Sequence, residues 1–322
     1  MMTTTQAAFT EKNTLESNFI SAVVYVHNEK NRIEPFLTAL IGTLETHFLH
    51  SEIICVNDFS NDGSSDVIRN LAAATASTAL TIINMSYYHG RELAMNAGID
   101  LTIGDFVCEF DDTCLDFDPQ IIMDVYSQAL EGYDIVSASP GIHERISSRI
   151  FYHLFEKFSD GSLKMHTERF RILSRRAINR IQSMNRTVPY RKAVYAQCGL
   201  KTDTIVYPVT ASSDAGSPGD GKFRMNLAVD SLILFTRVGY DFSIFMTAFM
   251  MLLSIFMILY TVVIYATSQP VAGWTTTILF LSVAFFGLFG ILTVIIKYLQ
   301  LLIDLVFKKQ HYSFESIEKL TS

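Results

Sequence analysis

An uncharged stretch near the C-terminal end constrains the fold more than any other part of the sequence. From Phe242 to Ile296 there is no Asp, Glu, Lys, Arg or His. A membrane-spanning helix needs about 20 consecutive, mostly apolar residues, so this stretch is long enough for two spans. The residues from Gln269 to Trp274 predict the turn between them. The alternative is a buried helical hairpin of a soluble protein, but an uncharged stretch of this length is not typical of one.

The charges on either side of the stretch predict its orientation. Positively charged residues precede the first span and follow the second, and none lies in the turn: Lys222, Arg224, Arg237, Lys297, Lys308 and Lys309. Because positive charge is retained on the cytoplasmic side, we expect both ends of the chain in the cytoplasm and the protein in the inner membrane. The sequence then predicts an amphipathic juxtamembrane segment (226–241), two transmembrane helices (242–297) and a cytoplasmic tail (298–322).

The sequence pattern before the two spans predicts strands that alternate with helices. A polar, flexible tail is expected over residues 1–18. Strands are predicted at Phe19–Val26, Ser51–Val56, Ala79–Met85, Phe106–Phe110, Tyr133–Ser137 and Arg169–Leu173. The helices between and after them include Ile33–Phe48, Pro119–Leu130, Arg145–Phe158 and Arg175–Met184. Alternation at this spacing predicts βαβ units, and therefore an α/β fold with a Rossmann-like, mostly parallel sheet.

Composition excludes one class of partner and indicates a compartment. The formal net charge of −7 argues against nucleic acid as a main partner. The four cysteines, Cys55, Cys108, Cys114 and Cys198, show no CxxC spacing. We interpret them as reduced thiols of a cytosolic domain.

A cluster of carboxylates follows the predicted strand Phe106–Phe110. Asp111, Asp112, Asp116 and Asp118 fall within eight residues, and Glu109 points to the same face of the strand as Asp111. Carboxylates packed this closely repel one another unless a cation lies among them, and Mg²⁺ or Mn²⁺ takes such ligands. The alternative is a solvated acidic loop with a helix cap at Asp116 or Asp118. Its place at the carboxyl end of a central strand favours a ligand site.

Motifs at the first two strand ends resemble those of a known family. The first strand ends in Asn28-Glu29. The second ends in Val-Asn-Asp-Phe-Ser-Asn-Asp-Gly over Val56–Gly63, close to a Val-Asp-Asp-Gly-Ser-x-Asp-Gly pattern, with Asn57 and Phe59 as departures. With these motifs the sequence resembles the family 2 glycosyltransferases, which have the GT-A fold. The resemblance implies that Asp58 lies against the nucleotide of a sugar donor; turn chemistry and a helix cap are the alternative for Asp58–Gly63.

Further motifs resemble one branch of that family, the polyprenyl-phosphate glycosyltransferases related to dolichol-phosphate mannose synthase. They are Gly90–Gly98, Gly104-Asp105, Glu131–Val136, Phe170–Arg176 and Lys222-Phe223. The resemblance assigns residues 19–225 to a GT-A domain. It also implies a metal motif Asp-x-Asp, matched here by Asp111-Asp112-Thr113, with Thr113 at the second ligand position. Asp111 is then the expected ligand, and Glu109, Asp112, Asp116 and Asp118 are candidates to replace the second one.

The resemblance implies an inverting hexosyl transfer from a nucleotide-sugar to a polyprenyl (undecaprenyl) phosphate, used in cell-surface glycan synthesis. Asn28, Glu29, Asp58, Arg145 and Lys222 are the expected donor-binding residues. The expected catalytic residues are Asp111, Asp112, Arg149 and Arg171, and for the basic ones a solvated helix face or membrane snorkelling is the alternative. A homo-oligomer is possible. The rival hypotheses are another lipid-linked glycan acceptor and a catalytically degenerate membrane partner.

Overall fold

The structure is a computed structural model that describes residues 15–73, 78–141, 167–183, 191–209 and 312–321, with isolated positions between 245 and 302. Its strands are β1 (Ile20–Val26), β2 (Ser51–Asn57), β3 (Ala79–Met85), β4 (Phe106–Phe110), β5 (Ile135–Pro140), β6 (Phe170–Ser174), β7 (Thr202–Tyr207) and β8 (Phe314–Lys319). Its helices are α1 (Lys30–His47), α2 (Ser64–Ala72), α3 (Arg91–Leu101), α4 (Gln120–Leu130), α5 (Arg175–Ser183) and α6 (Arg191–Gln197).

The eight described strands form one sheet in the order β7-β5-β6-β4-β1-β2-β3-β8. Its centre, β4-β1-β2-β3, is parallel. β6 runs antiparallel between β4 and β5, β7 is parallel to β5, and β8 is antiparallel to β3. The predicted α/β fold with a mostly parallel sheet is confirmed, and the sheet is mixed at its two flanks.

Helices cover both faces of the sheet, which explains why every residue of β1 is buried. Ile20, Ala22, Val24 and Val26 pack with α1, α2 and α4. Val23 and Tyr25, on the other face, pack with α3, α5 and α6. α3 approaches so closely that a Cβ on Gly98 would lie 2.4 Å from Val23 Cγ1. The sheet thus holds the carboxyl ends of its parallel strands rigidly side by side.

The predicted boundaries of the first five strands agree with the structure to within about three residues. Three elements were not predicted: α6, β7 and β8. The position of β8 corrects the predicted domain division. Residues 298–322 were assigned to a cytoplasmic tail, but Phe314–Lys319 pairs with β3 in the sheet.

Several predictions fall outside the described residues. They include the tail over 1–14, the helix Arg145–Phe158, the juxtamembrane segment 226–241 and nearly all of the two transmembrane helices. Among the residues that are described, no helix is both long and apolar enough to cross a membrane.

Candidate active site

The carboxyl ends of β1, β2 and β4 meet at one edge of the sheet. β1 is hydrogen-bonded to β2 on one side and to β4 on the other. The chain turns sharply just beyond two of these strands, where Asn28 (φ 56°) and Phe59 (φ 57°) adopt a left-handed conformation that non-glycine residues rarely take. Strained positions of this kind cluster at functional sites, so this edge is the candidate active site.

Hydrogen bonds connect the turn after β1 to the turn after β2. The Asn28 backbone N–H donates to Ser60 Oγ at 3.0 Å, and its side-chain Oδ1 accepts from the Asn61 N–H at 3.0 Å. The Glu29 carboxylate pairs with Arg32 and accepts a hydrogen bond from Thr113 Oγ1 at 3.0 Å. Asn28 and Glu29 therefore lie at this edge of the sheet, where their hydrogen bonds link the loops that follow β1, β2 and β4.

Asp58 is fully buried at the end of β2 and has three hydrogen-bond donors. Its Oδ1 accepts from the His89 N–H at 2.8 Å, and its Oδ2 accepts from the Gly90 N–H at 2.9 Å and from Tyr25 Oη at 3.0 Å. The resemblance implied that this carboxylate lies against the nucleotide of a sugar donor. In the structure its hydrogen bonds hold the loop between β3 and α3.

Two buried arginines bind the first carboxylates of the acidic cluster. Asp111 accepts from Arg171 Nη2 at 3.1 Å through one oxygen and from Arg191 Nη2 through the other. The side chains of Arg171 and Arg191 are only 2% and 4% exposed. Burial works against the charge of Asp111, but Arg191 and Arg171 outweigh it and hold the pKa of Asp111 below its usual range.

Glu109 lies behind Asp111 and is fully buried. In the register of β4 and β6 it stands directly opposite Arg171, and its Oε2 lies 3.3 Å from Arg171 Nη1 and 3.2 Å from Arg191 Nη1. Its Oε1 accepts from Tyr195 Oη at 2.6 Å. Burial raises the pKa of Glu109 although both arginines oppose that shift.

The remaining acids also have protein partners. Arg169 binds both oxygens of Asp116 and donates from Nη1 to Asp112 Oδ2 at 2.9 Å. Tyr207 Oη donates to Asp116 Oδ1 at 3.1 Å. Asp118 Oδ1 accepts from the Gln120 N–H at 2.9 Å, at the start of α4, as the alternative interpretation expected.

This arrangement does not fit a divalent ion. The acids expected to hold Mg²⁺ or Mn²⁺ were Asp111, Glu109, Asp116 and Asp118, and the first three are bound by arginines. Within the described part of the chain, no group of three or more His, Cys, Asp or Glu side chains is placed to hold a metal. Guanidinium groups lie among these carboxylates in the structure, where a divalent cation was expected.

The sequence predicted Arg171 as a catalytic residue, and it did not single out Arg169 or Arg191 as site residues. Arg169 had a usable signal, because it is two residues from Arg171 and residues at that spacing in an extended segment share a face. No sequence signal indicated Arg191, since it lies in α6 and follows Asp111 by 80 residues. Arg145, Arg149 and Lys222 lie outside the described residues.

Comparison of the sequence with known protein families identifies the family of this chain. The sequence profile of glycosyl transferase family 2 matches residues 21–188, more than half of the chain. The chain belongs to glycosyl transferase family 2, and it is a glycosyltransferase.

Particular relatives align with most of the chain. The bactoprenol glucosyl transferase of Shigella phage SfX is 27% identical over 83% of this chain and 88% of its own length. An uncharacterized glycosyltransferase of Synechocystis sp. is 24% identical over 82% and 85%. The crystal structure of glucosyl-3-phosphoglycerate synthase from Mycobacterium tuberculosis, with Mn²⁺, UDP-glucose and phosphoglyceric acid, has a TM-score of 0.51 at 16% identity and covers 67% of this chain and 79% of that one. At that identity the likeness concerns the fold alone.

Proposed function

We propose that the protein is a membrane-anchored, inverting glycosyltransferase that moves a hexose from a nucleotide-sugar to a polyprenyl phosphate for cell-surface glycan synthesis. The observation that carries this proposal is the extent of the match to the Shigella phage relative. A match to 83% of the chain includes more residues than 1–225 contain, so it reaches into the apolar region. The name of that relative gives bactoprenol as its lipid. Similarity in both regions supports a lipid acceptor of the same class.

The membrane anchor is proposed from the uncharged stretch 242–296 and from the position of β8. Large apolar side chains at described positions of the stretch are exposed, among them Phe245 (66%) and Leu252 (68%), as expected of groups that face lipid. The chain leaves the sheet after β7 and returns to it as β8. Any crossings between these strands must therefore be even in number, which supports two spans. A homo-oligomer stays a prediction.

The proposed chemistry is a single displacement. The acceptor phosphate is already an anion at neutral pH, so its oxygen can attack the anomeric carbon without a strong general base. The bond from that carbon to the nucleoside diphosphate breaks as the new bond forms on the opposite face, which inverts the configuration. A double displacement would need a free carboxylate as nucleophile. Asp111 and Asp116 are bound by arginines, which favours the single displacement.

Side-chain cations are proposed to bind the diphosphate. Arg169, Arg171 and Arg191 carry three positive charges, whereas Glu109, Asp111, Asp112 and Asp116 can carry four negative ones. The arginines of this cluster are therefore committed to its acids. Arg145, Arg149 and Lys222 are the proposed cations for the leaving group. The planar guanidinium of each arginine can bind two phosphate oxygens at once, and the Lys222 ammonium adds a compact positive charge.

Exposed aromatic side chains at the same edge can receive the base of the donor. Phe59 follows β2, and Tyr87 and Tyr88 follow β3; each is half exposed. The Tyr88 ring lies 4.7 Å from that of His27 at the end of β1. A half-exposed aromatic ring can stack on one face of a base while the other face of the base stays in contact with water.

The test is a transfer reaction with purified full-length protein, undecaprenyl phosphate and a panel of nucleotide-sugars, with the lipid product identified by its mass. We expect a hexosyl phosphate lipid from one donor of the panel. Arg149→Gln should lower turnover at least tenfold, because it removes a proposed phosphate cation. Lys201→Gln, at an exposed residue before β7, should leave turnover unchanged. Donor binding without any lipid product would instead favour a non-catalytic membrane partner.

A further inference from the structure

The C-terminal strand β8 is firmly attached at the edge of the sheet. It pairs with β3 from Thr81↔Lys319 to Met85↔Phe314. Hydrogen bonds fix both of its ends: the Ser86 N–H donates to Ser313 O at 3.1 Å, and the Leu320 N–H donates to Leu80 O at 2.8 Å. The described residues 312–321, which follow the apolar stretch in the sequence, therefore belong to the sheet domain.

A chain of side-chain hydrogen bonds leads from β8 into the sheet. Glu318 Oε2 and Oε1 accept from Arg69 Nε and Nη2, both at 3.0 Å, which anchors the carboxylate to α2. Glu318 Oε1 also accepts from Asn84 Nδ2 at 2.8 Å. Asn84 Oδ1 in turn accepts from Asn57 Nδ2 at 2.9 Å. Asn84 and Asn57 are both buried, so water competes little for these bonds.

The series of hydrogen bonds continues from Asn57 into the two strained turns of the candidate active site. Asn57 Oδ1 accepts from the Ser60 N–H at 3.1 Å, across the left-handed Phe59. Ser60 Oγ then accepts from the N–H of left-handed Asn28 at 3.0 Å. We call Glu318, Asn84, Asn57 and Ser60 the C-terminal relay. All four members line a polar cleft of about 300 Å³ beside these turns.

The relay explains why Asn57 stands where the family pattern has Asp. The Nδ2 of Asn84 donates to Ser316 Oγ at 2.9 Å and to Glu318 Oε1, so both of its hydrogens are used on β8. Asn84 Oδ1 therefore needs a donor from β2, and the amide of Asn57 supplies one. A carboxylate at position 57 has no hydrogen to donate and would face the Asn84 oxygen.

A second connection reaches the same edge from the start of β8. The Ser313 N–H donates to His89 Nε2 at 3.2 Å, and the His89 N–H donates to Asp58 Oδ1 at 2.8 Å. Two independent paths therefore join the C-terminal segment to the β2 end.

We propose that Glu318 and Asn57 are positioning residues through which β8 holds the β1 and β2 turns in the conformation that binds the sugar donor. The choice of a nucleotide-sugar as the ligand rests on the proposed function. Because β8 follows the apolar stretch, its attachment makes donor binding depend on the C-terminal segment.

Hydrogen exchange of the full-length protein tests the coupling without any ligand. In Glu318→Ala, peptides that cover residues 57–63 should exchange at least five times faster than in the wild type. Glu318→Gln should be intermediate, because its amide oxygen can still accept from Asn84. Asn57→Asp, which leaves β8 intact, should also accelerate exchange. Glu315→Ala, on the same strand but outside the relay, is the matched control and should match the wild type.

Titrations with UDP-glucose and with GDP-mannose, followed by kinetics with whichever is bound, test the positioning role. Glu318→Ala and Asn57→Asp should raise KM for the donor at least threefold and change kcat by less than twofold. Unchanged exchange in both folded variants overturns the coupling, and faster exchange with an unchanged KM overturns the positioning role. If the wild type binds neither probe, the donor assignment fails, and exchange alone still decides whether β8 orders the turns.

Discussion

Asp111 is held from both sides by arginines that are themselves buried, so its charge contributes to the stability of the fold. Arg171 and Arg191 also form ion pairs with Glu109, Glu168 and Glu92. Removing the charge of Asp111 leaves two desolvated cations with less compensation, and loss of one partner of a buried ion pair is costly.

Asp111→Asn should therefore lower the free energy of unfolding by about 3 kcal/mol, because it breaks a buried pair. Asp112→Asn is the control: that side chain is 32% exposed, and exposed ion pairs contribute about 1 kcal/mol or less. Urea unfolding, followed by circular dichroism, measures both. If Asp111→Asn is as stable as the wild type and instead loses Mn²⁺ binding, the cluster is a metal site.

Thr113 also fits its neighbours better than the Asp of the family pattern would. Thr113 is buried, and its hydroxyl donates to Glu29 Oε2 at 3.0 Å. A carboxylate at this position would lack the hydrogen and would repel Glu29.

We expect Thr113→Asp to lower the free energy of unfolding by about 2 kcal/mol in metal-free buffer, since it leaves a buried acceptor unpaired. Thr113→Val, which loses the hydrogen bond without adding a charge, should cost about 1 kcal/mol. Millimolar Mn²⁺ should not restore the stability of Thr113→Asp, because Asp111 is held by arginines. Recovery with Mn²⁺ but not with Na⁺ would contradict this interpretation.

At the scale of elements, the central strands were predictable and the outer ones were not. β1 to β4 are continuous apolar or β-branched runs, and burial on both faces produces that signal. β8 reads Phe-Glu-Ser-Ile-Glu-Lys; its charges suit an exposed edge strand, but they also suit a solvated tail. The motifs at the carboxyl ends of β1, β2 and β4 lie together because these strands are parallel neighbours in the sheet. The pairing of these acids with arginines was not predicted, because Arg171 lies in β6 and Arg191 in α6, both distant from β4 in sequence.

The position of β8 adds a constraint to the predicted membrane topology. Reporter fusions at Met1 and at Ser322 should both report the cytoplasm, and a fusion at Ala272 should report the opposite side. The expectation rests on the flanking lysines and arginines and on the return of β8 to the sheet. Opposite locations for the two ends would contradict the two-span arrangement.

At the scale of the whole molecule, a three-layer catalytic domain is closed by a strand that comes from beyond the apolar stretch. β8 lies in the same sheet as the strands of the candidate active site, and it follows the proposed membrane anchor in the sequence. An acceptor whose lipid tail stays in the bilayer would then present its phosphate to a domain that is held nearby. The central claim is therefore that the acceptor group is a phosphate on a polyprenyl chain.

A comparison of two acceptors tests that claim most directly. Full-length protein in phospholipid vesicles would receive a productive nucleotide-sugar with either undecaprenyl phosphate or undecaprenol, which differ only in the phosphate. We expect a glycosylated lipid, measured by mass spectrometry, from the phosphate alone, and inverted configuration at the anomeric carbon of the sugar. Equal product from the alcohol, or transfer only to a preformed lipid-linked glycan, would contradict the account.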